Sequence, residues 1–372
     1  MGKFCFVIHP LSFEDVARYE PGSKGKGRPF IAKILEWMPS YAAVHVTGVR
    51  TPDGRETEGW FVAAPLLPEQ MLALPREAVY ARILSAIDVG VSLGAQIAGL
   101  GAFTGVVGDG GVTIAQRSPI PVTTGNSLTI AAGVQSLLRG AAEMGIALET
   151  ASVAVIGATG SIGSACVELI APYARDLVLC ARNETRLNKY HASVRDRLPC
   201  RSRATTDLRA AVRSADVILT ATSSTTEVIE PGDLRTGAVV CELSLPHDVG
   251  ARVAQERPDV LVVEGGNMCV PGTPRFDRVR EPGTPFDLNL PPATALACMA
   301  ETMTLAIEER FESYSLGRGI ELEKVREIDA IAARAGFSLA GMRAFDAAIT
   351  PEMIARTRDA AAARRRTALA TT

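Results

Sequence analysis

The chain has 372 residues, 47% of them hydrophobic and 22% charged, with a formal net charge of −2. That length exceeds one ordinary core and predicts two domains. A near-neutral balance excludes global attraction to nucleic acid or to an anionic membrane, so no nucleic-acid partner is expected and any acidic partner needs a local basic patch.

The seven cysteines are scattered without a CxxC pair, which reads as reduced thiols, and the four histidines lie far apart, so no metal site is expected. The segment Met1-Gly2-Lys3-Phe4-Cys5-Phe6 lacks the long apolar core of a signal peptide. The apolar run at 128–138 is too short to span a bilayer. The expectation is a cytoplasmic protein with no integral membrane segment.

In chain order, residues 4–8 predict a short strand, 21–29 a basic Gly/Pro-rich loop, and 43–49 and 59–64 two strands around the turn signal Asp53-Gly54. Helical spacing covers 79–94, and a glycine-rich stretch follows at 99–111. Asn126 suits the cap of a helix over about 127–145, which Gly145 ends. Apolar runs at 153–156, 177–180, 217–220, 239–242 and 261–263, with a weaker one at 200–204, alternate with helical stretches. Continuous apolar strands separated by helices imply a parallel sheet covered on both faces. Pro291-Pro292 suits the first turn of a helix running to about Arg310, and two more helices follow near 322–335 and 351–366. The predicted fold is α/β: a doubly wound Rossmann-type parallel sheet domain at 147–288, inserted in a smaller α+β domain made of 1–146 and 289–372 and completed by C-terminal helices. The cleft between the two would hold the active site.

The densest local chemistry is Ala154-Val155-Ile156-Gly157-Ala158-Thr159-Gly160-Ser161-Ile162-Gly163. A buried strand runs into glycines spaced GxxGxxG and then into a helix. The first glycine permits the tight turn, the second lets amides approach a pyrophosphate, and the third allows close helix–strand packing. A glycine-rich turn with no ligand is the alternative. Gly157, Thr159, Gly160, Ser161, Ile162 and Gly163 are the expected pyrophosphate contacts. Beyond the next strand, Ala181-Arg182-Asn183 lacks the acidic residue that holds ribose hydroxyls in NAD sites. Arg182 should instead clamp a 2′-phosphate, with Asn183 or Arg186 assisting, so the expected cofactor is NADPH. Thr222 and Ser223, just past the strand Val217–Thr220, complete the cofactor-binding set.

Further motifs occur in order: Phe103-Thr104, Thr123-Thr124-Gly125-Asn126, the nucleotide turn, Ala181-Arg182-Asn183, Gly265-Gly266, Ala297-Cys298-Met299-Ala300-Glu301, Ser315-Leu316-Gly317-Arg318, Glu323-Lys324 and Gly336-Phe337. Together, over roughly 4–340, they resemble the cyanobacterial long-chain acyl-[acyl-carrier-protein] reductases, which make fatty aldehydes from acyl-ACP. The chain departs from them at Ser161, through 267–292 and in a longer tail. The resemblance implies NADPH-dependent reduction of a fatty acyl thioester, with acyl carrier protein or acyl-CoA as the donor. It implies Cys298 as nucleophile, whereas residue chemistry alone favours a core cysteine there. A thiol suits the reaction because moving the acyl group to an enzyme cysteine splits one hard step into two. With a helix begun at Pro292, Cys298 would lie nearly two turns in, where the dipole acts weakly.

His9 and His247 are candidate bases, each with a structural alternative. Thr124 and Asn126 could hydrogen-bond the acyl oxygen or simply cap a helix. Glu301, one turn past Cys298, could support the site or form half of a helix pair. An acidic carrier could dock on Lys24, Lys26 and Arg28, or on Arg195, Arg197, Arg201 and Arg203, although charge runs are usually solvated faces. Three other readings stay open. Cys241-Glu242-Leu243-Ser244-Leu245-Pro246-His247-Asp248-Val249 resembles a glutamyl-tRNA reductase segment, but that family's Ser-Thr-Cys-Asn-Arg motif is absent. A shikimate-dehydrogenase-like enzyme would share the two-domain plan but needs a Lys/Asp pair not found here. A non-catalytic NADP(H)-binding redox sensor is the third.

Overall fold

Two sheets organise the chain. The computed structural model describes residues 1–370. It divides into a first unit, Met1–Leu128 with Met268–Arg318 and Arg326–Ser338, and a second unit, Thr129–Asn267 with Gly319–Val325 and Leu339–Thr372, of which the last two residues lie outside the described range.

In the first unit the apolar strand Lys3–Ile8 runs parallel to both of its neighbours, Glu56–Ala63 and Ile97–Leu100. Tyr41–Arg50 and Glu56–Ala63 form the antiparallel pair expected around Asp53-Gly54, with Gly54 at φ +90°. The spatial order is Gly272–Arg278, Tyr41–Arg50, Glu56–Ala63, Lys3–Ile8, Ile97–Leu100, Val122–Thr123. Helix Arg76–Ser92 buries Val79, Ile83, Ala86 and Ile87 against Cys5, Val7, Ala98 and Leu100. Helix Ala297–Ile307 is apolar almost all round, as a helix buried on every side must be. It packs on the strands Lys3–Ile8 and Ile97–Leu100. Gly99 permits that contact, because an added Cβ would stand 2.2 Å from the Thr302 hydroxyl.

The second unit is the doubly wound domain. Its six parallel strands lie in the order Arg201–Thr205, Asp176–Cys180, Ser152–Ile156, Val217–Thr220, Val239–Glu242, Leu261–Glu264. Counted along the chain that is 3-2-1-4-5-6, the Rossmann order, whose reversal point lies beside the first strand. The inner strands are wholly buried, whereas the weak edge strand Arg201–Thr205 has an exposed-to-half-buried pattern.

The division differs from the sequence boundaries at 129–146, 268–288, 319–325 and from 339 onward, and three of these differences have a packing reason. Helix Asn126–Glu143 joins the second unit from Thr129 onward, because Gly133 and Gly140 let its backbone lie against Leu243 and Val239. Residues 268–288 belong to the first unit, since Gly272–Arg278 pairs antiparallel with Tyr41–Arg50. The tail from Leu339 belongs to the second, where buried Arg343 meets Glu264 at 2.9 Å and Arg364 meets Asp259 at 3.1 Å. The loop reading of 21–29 also gives way, in part, to a helix Arg28–Trp37 with Pro29 in its first turn.

One buried ion pair anchors the far end of the second unit. Arg257 grips Asp259 through two nitrogens at 2.9 and 2.8 Å and donates to the Pro231, Leu234 and Arg235 carbonyls. Arg257→Met should therefore lose about 3–5 kcal/mol of stability in urea unfolding, since Asp259 keeps only Arg364. A loss below about 0.5 kcal/mol, the level of an ordinary surface substitution, would show that the pair is not structural.

Candidate active site

The nucleotide turn is shaped by glycine. Gly157 has φ +84°, and a Cβ there would stand 2.2 Å from the Ala221 carbonyl oxygen. The amides of Gly157 and Ala158 both donate to the Cys180 carbonyl, at 2.9 and 3.0 Å, which ties the turn to the neighbouring strand. A Cβ on Gly163 would stand 2.3 Å from the Gly157 oxygen, so the third glycine closes the helix onto the turn. Helix Ser161–Ile170 starts at Gly160 without a side-chain cap, and its first backbone bond runs from the Ser164 amide to the Gly160 oxygen. The amides of Ile162 and Gly163 therefore have no intrahelical acceptor and carry the positive end of the dipole. A cradle that side chains would fill, facing a helix N-terminus, fits a pyrophosphate.

The other cofactor candidates surround this turn. Arg182 is exposed just beyond the strand Asp176–Cys180 and has no hydrogen bond or ion pair among the described residues. The Asn183 side chain caps the next helix by accepting from the Arg186 amide at 2.9 Å. The Arg186 guanidinium donates to the Thr159 carbonyl and so braces the turn itself. Thr222 gives its hydroxyl proton to buried Asp248 at 2.6 Å, while Ser223 is exposed. Sequence reasoning missed the polar network behind Thr222. Thr220 and Ser244 also donate to Asp248, and Glu242 accepts from the Asp248 and Val249 amides and meets His247 at 3.0 Å. The hydrogen bond to Glu242 raises the His247 pKa. An acidic residue ending an apolar strand, as Glu242 does, was the available signal.

The thiol in the first unit stands differently from the sequence expectation. Pro291-Pro292 does not open the helix. Ala293 takes φ +58°, its carbonyl accepts from the Val270 amide at 2.8 Å, and Thr294–Leu296 is extended. The helix starts at Ala297, so Cys298 is in its first turn rather than two turns in. The amides of Met299 and Cys298 reach the sulfur and favour its anion. Burial outweighs them, aided by the Glu301 charge, and the thiol is pushed up to about 12. Cys298 keeps part of its surface, as do Cys200 and Cys269, whereas Cys5, Cys166, Cys180 and Cys241 are buried.

Segment 123–126 is pressed against this thiol. Gly125 has φ +71°, and a Cβ there would stand 2.3 Å from Cys298 Cα. Behind it lies Glu301, fully buried, and its carboxylate accepts from the Thr123 hydroxyl at 2.5 Å, the Leu128 amide at 2.8 Å and the Ser315 hydroxyl at 2.7 Å. The Ser315 oxygen accepts from the Ser127 amide at 3.1 Å. Burial raises the Glu301 pKa and these donors oppose the rise. Helix Asn126–Glu143 begins at Asn126, where the sequence predicts its start, and a carboxylate distant in sequence satisfies the Leu128 amide of its first turn. Thr124 gives its hydroxyl proton to the Ser315 carbonyl. His9 is spent on backbone: Nδ1 bonds to the Pro10 oxygen at 2.9 Å, and Nε2 accepts from the Phe103 amide at 3.1 Å. Burial holds the imidazole neutral, at a pKa of about 4. Thr123, Gly125 and Ser315 are the site residues that residue chemistry did not single out. Among the described residues there is no metal-binding cluster and no helix long and apolar enough to cross a membrane.

Comparison with known proteins adds to this geometry. Residues 140–264 match the shikimate/quinate 5-dehydrogenase family model. The chain is 35% identical over 293 residues to the aminotransferase PigE of Serratia sp. (strain ATCC 39006), covering 78% of this chain but 33% of that protein. It therefore spans about a third of that relative's length. It is 28% identical over 303 residues to the long-chain acyl-[acyl-carrier-protein] reductase of Synechococcus elongatus, covering 78% of this chain and 84% of that protein. Among solved structures, the nucleotide-binding domain of glutamyl-tRNA reductase from Thermoplasma volcanium matches with a TM-score of 0.24 and 19% identity, over 38% of this chain and 86% of that one. The second unit is an NADP-binding Rossmann-type domain, and the chain has the fold of NAD(P)-dependent oxidoreductases.

Arg182→Ala should weaken NADPH binding by about tenfold, the equivalent of one charge-assisted phosphate contact, and leave NADH binding within about twofold. Titration of intrinsic fluorescence measures both. Equal loss for the two cofactors would remove Arg182 from the 2′-phosphate.

Proposed function

We propose that this chain catalyses the NADPH-dependent reduction of a fatty acyl thioester to a fatty aldehyde through an acyl-Cys298 intermediate, with acyl carrier protein or coenzyme A as the acyl donor. The observation that carries this reading is Cys298 in the first turn of its helix, with the Met299 amide at its sulfur and Gly125 packed on its backbone. The likeness to the Synechococcus reductase supports it and extends over most of both chains. The shikimate/quinate dehydrogenase match ends at residue 264, so it speaks for the cofactor and not for the thiol at 298.

In this reading the Cys298 sulfur attacks the thioester carbonyl, loses its proton and takes the acyl group, while the departing donor thiol regains a proton. First-turn amides hold the sulfur as it becomes anionic. His9, with both ring nitrogens bonded to backbone, is a structural residue and not the base. Thr124 is tied to the Ser315 carbonyl, and Asn126, at the helix entrance, is the remaining candidate to hydrogen-bond the acyl oxygen. Bound NADPH supplies a hydride to the acyl carbonyl carbon. The turn at 157–163 would hold its pyrophosphate and Arg182 its 2′-phosphate with Asn183 or Arg186 assisting, and Thr222 and Ser223 would complete the cofactor-binding set. Collapse of the tetrahedral adduct on Cys298 regenerates the thiol and frees the aldehyde.

Acyl-ACP and acyl-CoA of several chain lengths should each be incubated with the protein and digested for mass spectrometry. An acyl adduct on the Cys298 peptide is expected without NADPH, and aldehyde after NADPH is added. Cys298→Ala should give neither while binding NADPH normally. With a thiol pKa of about 12, adduct formation should rise about tenfold per pH unit between about pH 7 and 9, because the thiolate fraction does. Aldehyde formation by Cys298→Ala, or a rate that is flat with pH, would contradict the reading.

A further inference from the structure

Helix Arg28–Trp37 carries one broad apolar face, and only part of it is covered. Ile31 and Leu35 face inward and pack with Val16 and Leu67 in a small cluster that also takes Phe13 and Met38. On the outer side Phe30, Ile34 and Trp37, spaced i, i+4, i+7, are 56%, 40% and 73% exposed. The apolar face of an amphipathic helix normally packs inward across its width, so an exposed aromatic stripe along its edge marks a surface that something else covers. The same stretch carries positive charge. Residues 24–33 contain Lys24, Lys26, Arg28 and Lys33 and no acid. Lys24 and Lys26 have no ion-pair partner among the described residues, while Arg28 meets Glu14 at 3.4 Å and Lys33 meets Glu36 at 2.8 Å, all on exposed surface where such pairs exchange readily.

We propose that this face is a membrane-docking surface: the outer side of helix Arg28–Trp37 lies in the headgroup region of an anionic lipid bilayer. Phe30, Ile34 and Trp37 enter the interface, and the cations of 24–33 meet lipid phosphates. Two features favour a bilayer over the other occupants. An indole and a phenyl ring beside lysines form the pairing that seats side chains at a lipid interface, with the ring in the apolar boundary and the ammonium in the headgroups. A second copy of the chain, docked about a two-fold axis, would bring these cations toward their own counterparts. The docking is peripheral, since no described helix is long and apolar enough to cross a membrane. The face lies in the first unit, which also carries Cys298, but the proposal does not depend on the thiol's chemistry.

The test uses the full chain with vesicles of phosphatidylcholine alone and of an equimolar phosphatidylcholine–phosphatidylglycerol mixture. Flotation should carry the protein with the anionic vesicles and about tenfold less with the neutral ones, and added salt should release it. Trp37 emission should shift to the blue on binding. Trp37→Phe should keep the binding and lose the shift, which separates Trp37 from Trp60. Phe30→Ser with Trp37→Ser, and separately Lys24→Glu with Lys26→Glu, should abolish flotation with an unchanged circular dichroism spectrum. The proposal is overturned if the wild type stays unbound on anionic vesicles. It is overturned equally if binding survives both double variants, if Trp37→Ser dissolves a dimer seen by light scattering, or if acyl carrier protein shields Trp37 from a quencher where anionic vesicles do not.

Discussion

The buried carboxylate of Glu301 is the interaction on which the thiol site depends. A carboxylate taken wholly out of water destabilises the fold unless donors surround it, and here three donors come from two separate stretches of chain: Thr123 and Leu128 from one, Ser315 from the other. Charged hydrogen bonds of this kind contribute about 1.5–3 kcal/mol each, enough together to hold those stretches in one arrangement. Ser315 is itself left-handed at φ +55°, a conformation costing a non-glycine residue about 1–3 kcal/mol that the network must offset. Because Glu301 is one turn beyond Cys298 on the same helix, whatever fixes the carboxylate also fixes the thiol. The backbone of Gly125 is thereby held against Cys298 with no room for a side chain.

The second unit solves a different problem with backbone. Its phosphate cradle consists of amides and missing side chains at Gly157 and Gly163, tied to the sheet through the Cys180 carbonyl. Side chains nearby mostly brace that cradle. Arg186 bonds to Thr159, Asn183 caps a helix, and Thr222 is tied down by Asp248, which leaves Arg182 as an exposed cation with no such bond among the described residues. A network of hydroxyls on Asp248, and of amides on Glu242, stiffens the ends of the central strands where such folds bind ligands.

The strands and the nucleotide turn were legible in the amino-acid sequence because their signals are local. Five apolar runs, a GxxGxxG turn and the lack of an acid after Cys180 need no distant partner to be read. Features set by long-range contacts were not. The helix carrying Cys298 starts at Ala297 because Ala293 is held by Val270 and the next three residues are extended, so the Pro291-Pro292 signal misplaces the start by more than a turn. The helix start at Asn126 was legible, but not that the Leu128 and Ser127 amides beside it are satisfied from positions 301 and 315. Helix Arg28–Trp37 has helical apolar spacing, but Gly25, Gly27 and Pro29 at its start carry the signals of a loop. The strand Gly272–Arg278 contains charged residues and a proline, and only its pairing with Tyr41–Arg50 defines it.

The claim that Glu301 positions Cys298 is tested most directly by Glu301→Gln, with two readouts on one sample. Hydrogen exchange at the Leu128 amide reports the network, and the single-turnover rate of Cys298 acylation reports the thiol. The account predicts that exchange accelerates and acylation slows by about a hundredfold, the scale of a misplacement of about 1 Å, while NADPH binding is unchanged. Faster exchange at Leu128 with acylation at the wild-type rate would contradict it, since the thiol would then hold its place without the carboxylate.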